Sequence, residues 1–170
     1  MKTLVLYGED HTPQYREIIN GLIRKRHKVK PFDYLVLEEL GPFSYFTKEE
    51  KEDAIKREAY SVGPEGLRLA IELDIPAIGM DLWADDVYKD DKFDDNDFAV
   101  DVVRSFKLRE ANMLNVLMEY HKKGNVASIV GDTHLRKTVT KQLGAASPLY
   151  TYFNGLSDVT IVRCPHKELE

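Results

Sequence analysis

Sulfur is scarce in these 170 residues: Cys164 is the lone cysteine, so no disulfide can close within the chain. Unpaired thiols belong with reducing compartments, and the expectation is a cytoplasmic protein. Long apolar runs are missing as well. No stretch approaches the about 20 residues that span a bilayer, and the N-terminus enters strand-type sequence at once, Leu4 to Tyr7, without the regions of a signal peptide. A membrane is therefore not expected as a partner. Nor is positive charge in excess. Lys and Arg number 24 against 29 Asp and Glu, a net charge of −5, which argues against nucleic acid, whose phosphates need clustered cations. The one dense basic run, Arg24 to Lys30, closes a predicted helix and complements its dipole. The Gly-x-Ser-x-Gly elbow, the phosphate-binding loop and the dinucleotide fingerprint are all missing, so serine-hydrolase, nucleotide-hydrolase and nicotinamide chemistries lack their parts. Repeats, low-complexity tracts and linkers are absent too, and residues 1–170 read as one domain.

What is present is a regular alternation of strand-type and helix-type segments, the pattern of an α/β fold with a mostly parallel central sheet flanked by helices. Strands are predicted at 3–7, 33–38, 75–80, 126–130 and 158–163. Pro13 opens a helix running to about Arg26, with Thr12 or His11 before it. Thr47 and Glu50 form a capping box for a highly charged helix ending near Tyr60, polar almost all round and so expected outside the core. Further helices are predicted from Pro64 to Leu73, from Phe98 to Lys123 with Gly124 as its stop, and over 135–143. The aspartates from Asp85 to Asp97 lack the spacing and the glycine of a calcium loop and read as a solvated loop whose last aspartate caps the long helix, the alternative being a flexible rim over the site. The segment 41–62 is a candidate lid, because it leaves the core directly after Glu38.

Two strand ends carry the same short signature: Gly8-Glu9-Asp10-His11 and Gly131-Asp132-Thr133-His134. Each reads strand, glycine, acid, any residue, histidine. A single glycine-to-histidine spacing is a weak signal; two, each after a strand and each with an acid second, are far less accidental. In an open parallel sheet, ligands gather outside the carboxyl ends of the strands, so the two could build one polar site from opposite ends of the sequence.

On the long helix, Val102, Val103, Phe106, Met113, Leu114 and Leu117 mark an apolar face, and Arg109 falls on it. An arginine there reaches a carboxylate inside the fold, points into a ligand crevice, or snorkels from the edge of the face. His27, His121 and His166 read as structural or surface residues, and Cys164 as an ordinary buried thiol.

The ordered set of motifs resembles the superfamily that groups erythromycin esterases, TraB/PrgY pheromone-shutdown proteins, Tiki proteases and the haem-binding lipoprotein ChaN. The matching residues are Gly8, Glu9 and His11; Val36-Leu37-Glu38 at a strand end; Ile75, Pro76, Gly79 and Asp81; Arg109 with Met113; and Gly131 with His134. Glu110 departs from the pattern, standing where many relatives carry Asp or Asn, and the chain has little room for the insertions of larger members. The resemblance implies an α/β fold with a site built from Glu9, His11, Glu38, Arg109 and His134. It leaves the reaction open, because the superfamily holds esterases, proteases and a haem binder.

The residues support a chemistry of their own. Two imidazoles and a carboxylate match a catalytic divalent-metal site (Zn, Mn or Co) with an open position for water. In that scheme His11 and His134 bind metal, Glu9 or Glu38 is the third ligand and the other the base, and Arg109 stabilises the oxyanion. In a metal-free version, one histidine oriented by a glutamate activates water directly. Both point to a hydrolase of an ester, lactone or peptide bond, acting on a small-molecule or peptide substrate. The alternative is a protein that holds a metal, haem or small ligand in the same crevice without chemistry, with Tyr7 and Tyr34 as candidate oxygen ligands to iron.

Overall fold

The computed structural model describes residues 1–57, 64–82, 98–139, 143 and 145–164, with the backbone alone for residues 64 and 98–102. A single five-stranded sheet forms the centre: β1 (Leu4–Glu9), β2 (Tyr34–Leu37), β3 (Ala77–Gly79), β4 (Val126–Gly131) and β5 (Val159–Val162). Their order is β3-β2-β4-β1-β5, and every pairing is parallel. The fold is α/β, as the alternation of segments predicts. Helices α1 (Pro13–Val29), α2 (Lys48–Arg57), α3 (Pro64–Glu72), α4 (Phe98–Lys123) and α5 (Pro148–Phe153) flank it.

Because side chains alternate along a strand, each strand feeds two cores. Val5, Tyr7, Leu35, Leu37, Ala127 and Ile129 pack with Ile19 and Ile23 of α1 and Leu67 and Ala70 of α3. Leu4, Leu6, Val36, Ile78, Val126 and Val130 pack with Met113 and Leu117 of α4 and with Leu149 and Phe153 of α5. Burial on both faces explains why β1 and β4 read as continuous apolar runs. Each fully buried leucine or isoleucine contributes about 1.5–3 kcal/mol.

The order of strands, more than any single element, makes the site. Sequence-distant β1 and β4 lie side by side with Gly8 opposite Val130 and Glu9 opposite Gly131. On the other side of β4, Leu37 faces Ile129. The carboxyl ends of β1, β4 and β2 therefore open onto the same edge of the sheet.

Local predictions hold at several ends. Thr12 caps α1 by accepting from the Tyr15 N–H, with Pro13 in the first turn. The Thr47–Glu50 capping box closes in both directions, Glu50 N–H to Thr47 Oγ at 3.1 Å and Thr47 N–H to Glu50 Oε2 at 2.9 Å. Three expectations are corrected. The charged helix α2 does not lie outside the core: Ala54 is buried against α3, and the buried Lys51 donates Nζ to the Ile75 carbonyl at 2.7 Å. The stem of that lysine covers apolar surface while its ammonium ties down the chain entering β3. No helix runs over 135–143 in the described residues. A single 3₁₀ turn, Asp132–Leu135, ends at Arg136, and among the described residues the next helix is α5, capped by the Ser147 hydroxyl before Pro148. Val103 is 40% exposed, so the apolar stripe of α4 turns away from it; the side chain of Val102 and the aspartates from Asp85 to Asp97 lie outside the described residues. The lid candidate is anchored where it is described, with Tyr45 bridging Ala77 antiparallel at the free edge of β3. Among the described residues no helix is long and apolar enough to cross a membrane.

Candidate active site

The first motif ends β1 and turns at once into α1. Glu9 is the last strand residue, and Asp10 accepts from the Thr12 N–H at 3.0 Å and the Thr12 hydroxyl at 2.7 Å, a local turn typical of aspartate. Between them His11 takes φ = 62°, a left-handed conformation that histidine visits more readily than most residues. The turn leaves the His11 side chain 60% exposed, with Nδ1 3.5 Å from Oε1 of the buried Glu9. Arg16, one turn into α1, donates Nη1 to both Glu9 oxygens at 2.7 and 2.6 Å. The His11 ring rests on the second motif: a Cβ on Gly131 would sit 3.0 Å from His11 Nε2 and 3.3 Å from Glu38 Oε2.

The second motif is packed inward. The 3₁₀ turn after β4 places His134 under α4, stacked on Phe106 with ring centroids 4.8 Å apart. Its side chain is 4% exposed, and both ring nitrogens face carboxylates: Nδ1 lies 3.1 Å from Glu110 Oε1 and Nε2 3.2 Å from Glu38 Oε1. Arg136 binds Glu110 through Nη1, and through Nη2 at 3.1 Å. Glu38 also accepts from the Gly131 N–H at 2.6 Å and from Arg109 Nη2 at 2.8 Å. Arg109 clasps Asp81 as well, through Nε at 2.9 Å and Nη2 at 2.6 Å, and keeps its side chain 25% exposed. Of the three fates open to that arginine, it reaches carboxylates, two of them, Glu38 and Asp81.

Charge state follows from these partners. Burial works to raise the Glu38 carboxyl, but the His134 hydrogen bond and charge, the Gly131 N–H and Arg109 outweigh it and hold it at about 2. Burial likewise opposes ionisation of Glu9, whose pKa is nonetheless lowered by His11 and Arg16. His11 is raised above the ordinary 6.5, first by its hydrogen bond to Glu9, then by the charges of Glu9 and Glu38. Burial works to lower His134, yet its hydrogen bonds to Glu110 and Glu38 leave it raised. Glu39 runs the other way: burial drives its carboxyl up to about 7 despite the pull of Arg16.

Of the residues singled out in the sequence, His11 and Glu38 meet at Gly131, His134 joins them through Glu38, Glu9 lies behind His11, and Arg109 reaches in from α4. The two acids of the paired motifs differ. Glu9 faces its own histidine, whereas Asp132 turns away to bind Arg163 at 2.9 and 2.7 Å and the Cys164 N–H at 2.9 Å, pinning the chain after β5. Tyr7 is buried in the core on the α1 side, and Tyr34 starts β2 at the opposite end of the sheet, packed edge-on to Tyr120. Neither reaches the crevice. His27 accepts the Phe32 N–H and His121 pairs with Asp158, both structural; His166 lies outside the described residues.

Sequence reasoning missed Arg16, Glu39, Glu110 and Arg136 as members of the site. Arg16 carried a signal, since with Asn20 and Ile23 it repeats at helical spacing on the buried side of α1. A partner for Glu110 such as Arg136, 26 residues away, had none.

The proposed metal ligands do not converge as a ligand set. Arg16 occupies both oxygens of Glu9; Arg109, His134 and Gly131 occupy those of Glu38; both nitrogens of His134 are spoken for. Among the described residues no three His, Cys, Asp or Glu side chains are grouped to hold a metal ion. In comparisons with known proteins, no family model, no curated protein and no solved structure matches the chain.

Proposed function

We propose that the chain is a hydrolase of an ester, lactone or peptide bond in which His11 activates water without a metal. One observation carries this reading: an exposed imidazole at the carboxyl edge of the sheet, with a buried, arginine-clamped glutamate behind its Nδ1. A carboxylate there favours the ring form with the proton on Nδ1, which leaves Nε2 to take a proton from water as it attacks the carbonyl. The imidazolium then returns that proton to the leaving group. Arg109, partly exposed and held by Glu38 and Asp81, is a fixed cation for the developing oxyanion. His134, enclosed between two carboxylates, supports Glu38 and touches no substrate. Within the superfamily that the chain resembles, the esterases suggest the same metal-free scheme.

Chelator-treated protein should be assayed on a panel of p-nitrophenyl esters, lactones and small peptides, alongside His11→Ala. Turnover that survives chelation and is lost in the variant is the expected result. Turnover that needs added zinc, manganese or cobalt overturns the metal-free mechanism and returns His11, His134, Glu9 and Glu38 to a metal role. No turnover under either condition overturns the hydrolase, and the crevice is then a binding site for a small ligand, a metal or haem.

A further inference from the structure

Behind the His11–Glu9 pair lies a buried chain of charge that the proposed reaction does not use directly. Arg16 is 5% exposed, too deep to meet a substrate. While its Nη1 holds Glu9, its Nη2 lies 2.5 Å from Glu39 Oε1, a close ion pair without the angle of a good hydrogen bond. Glu39 in turn lies against the backbone of Gly66 in the first turn of α3, whose N–H works to lower its pKa. That contact is tight, because a Cβ on Gly66 would fall 2.1 Å from Glu39 Oε1 and 2.6 Å from Leu37 Cδ1. Consecutive glutamates thus serve opposite sides of the sheet: Glu38 meets His134 and Arg109, Glu39 meets Arg16.

This is an expensive way to hold α1 and α3 together. A buried arginine between two carboxylates loses most of its hydration, and Arg16 Nε and the nearby Asn20 Oδ1 make no hydrogen bond. Apolar residues of similar size would join the helices at lower cost. What the arrangement supplies instead is direction, since a forked guanidinium fixed at both ends holds a carboxylate in one orientation.

We propose that Arg16 and Glu39 are positioning residues: anchored by Glu39 and α3, Arg16 holds the Glu9 carboxylate toward His11 Nδ1 and so selects the ring form whose Nε2 accepts a proton. This rests on the reading of His11 as the base. The test is the ring-nitrogen spectrum of His11 in ¹⁵N-labelled protein, assigned by its loss in His11→Ala and recorded where the ring is neutral. The wild-type ring should carry its proton on Nδ1. In Arg16→Lys and in Glu39→Gln the shifts should move toward those of free histidine, where the Nε2–H form prevails. On any ester that the wild type turns over, kcat should fall by roughly 10- to 100-fold with KM little changed. A wild-type ring protonated on Nε2, or variant shifts that superimpose on the wild type, overturns the proposal. Should Arg16→Lys fail to fold, Glu39→Gln decides alone, because glutamine keeps the volume of the side chain packed against Gly66. If the wild type turns over no acyl substrate, the hydrolase reading falls, while the His11 spectrum still judges the positioning.

Discussion

The two strand-end motifs share a spacing and differ in almost everything the spacing does not specify. His11 stands 60% exposed in a left-handed bend, with one carboxylate behind it. His134 is 4% exposed, stacked on Phe106 and bracketed by two carboxylates. The difference arises in the residues just beyond each histidine. After His11, Thr12 and Pro13 start a helix immediately, and the chain has no residues to bury the ring. After His134, the 3₁₀ turn continues into Arg136, which brings a cation to Glu110 and seals the ring beneath α4. One motif is built to be reached and the other to be enclosed. Identical local patterns can therefore divide between an exposed and an enclosed histidine.

The comparison breaks first at the enclosed motif. Glu110→Gln leaves Arg136 without its buried counter-charge and gives His134 an amide in place of a carboxylate, so we expect a loss of about 3–5 kcal/mol in urea unfolding. An unchanged midpoint would mean that packing, not the ion network, holds His134.

Acid should act on the same motif next. The Glu38 pKa is depressed from 4.5 to about 2, so its share of stability is complete above 4.5 and is lost as pH falls toward 2. Glu39, raised from 4.5 to about 7, has the opposite sign: the folded state holds the extra proton, and stability declines as pH rises through that window. Thermal melts across pH 2 to 8 should show both slopes, and Glu39→Gln should remove only the second.

The glycines offer a sharper contrast. A Cβ on Gly8 would meet Asp132 Oδ1 at 2.2 Å, and Asp132 is pinned by Arg163 and Cys164, so Gly8→Ala should cost about 1–3 kcal/mol. On Gly131 the nearest atom is His11 Nε2 at 3.0 Å, on an exposed ring that can swing aside. Gly131→Ala should therefore cost less stability than Gly8→Ala, with only the 3.3 Å approach to Glu38 Oε2 left to relieve, and cut turnover by displacing His11. Equal stability losses in the two variants would refute the distinction between an open and a closed motif.

Smallest in stability is His11→Ala, within about 0.5 kcal/mol by denaturation, although turnover should drop by about 10²- to 10⁴-fold. The acid limb of kcat/KM should lie above the ordinary histidine value of 6.5, because Glu9 and Glu38 favour the charged ring.

Much of the scaffold was legible before folding was considered. Strand-type runs, the Thr12–Pro13 start and the Thr47–Glu50 box are local signals, set by side-chain periodicity and by backbone groups a few residues apart. The long helix α4 spans Phe98–Lys123, the predicted bounds. Errors arose where local and tertiary preferences compete. Residues 135–139 have an acceptable helical composition, yet Arg136 is drawn to Glu110 and the Ala145 carbonyl. Lys51 has the look of a solvent residue, yet its ammonium finds the Ile75 carbonyl in the core.

By itself, then, the sequence determined an alternating α/β chain whose polar residues gather at strand ends, because strand and helix periods and capping are written within a few residues of each other. Only the tertiary structure decided which charges meet. Glu38 finds Arg109 across 71 residues and the Gly131 N–H across 93, and those encounters depend on β4 inserting between β1 and β2. Strand order follows from how two apolar sheet faces are best covered by helices, a sum over the whole core that no local spacing encodes. That order brought both motifs to the sheet edge where Glu38 stands.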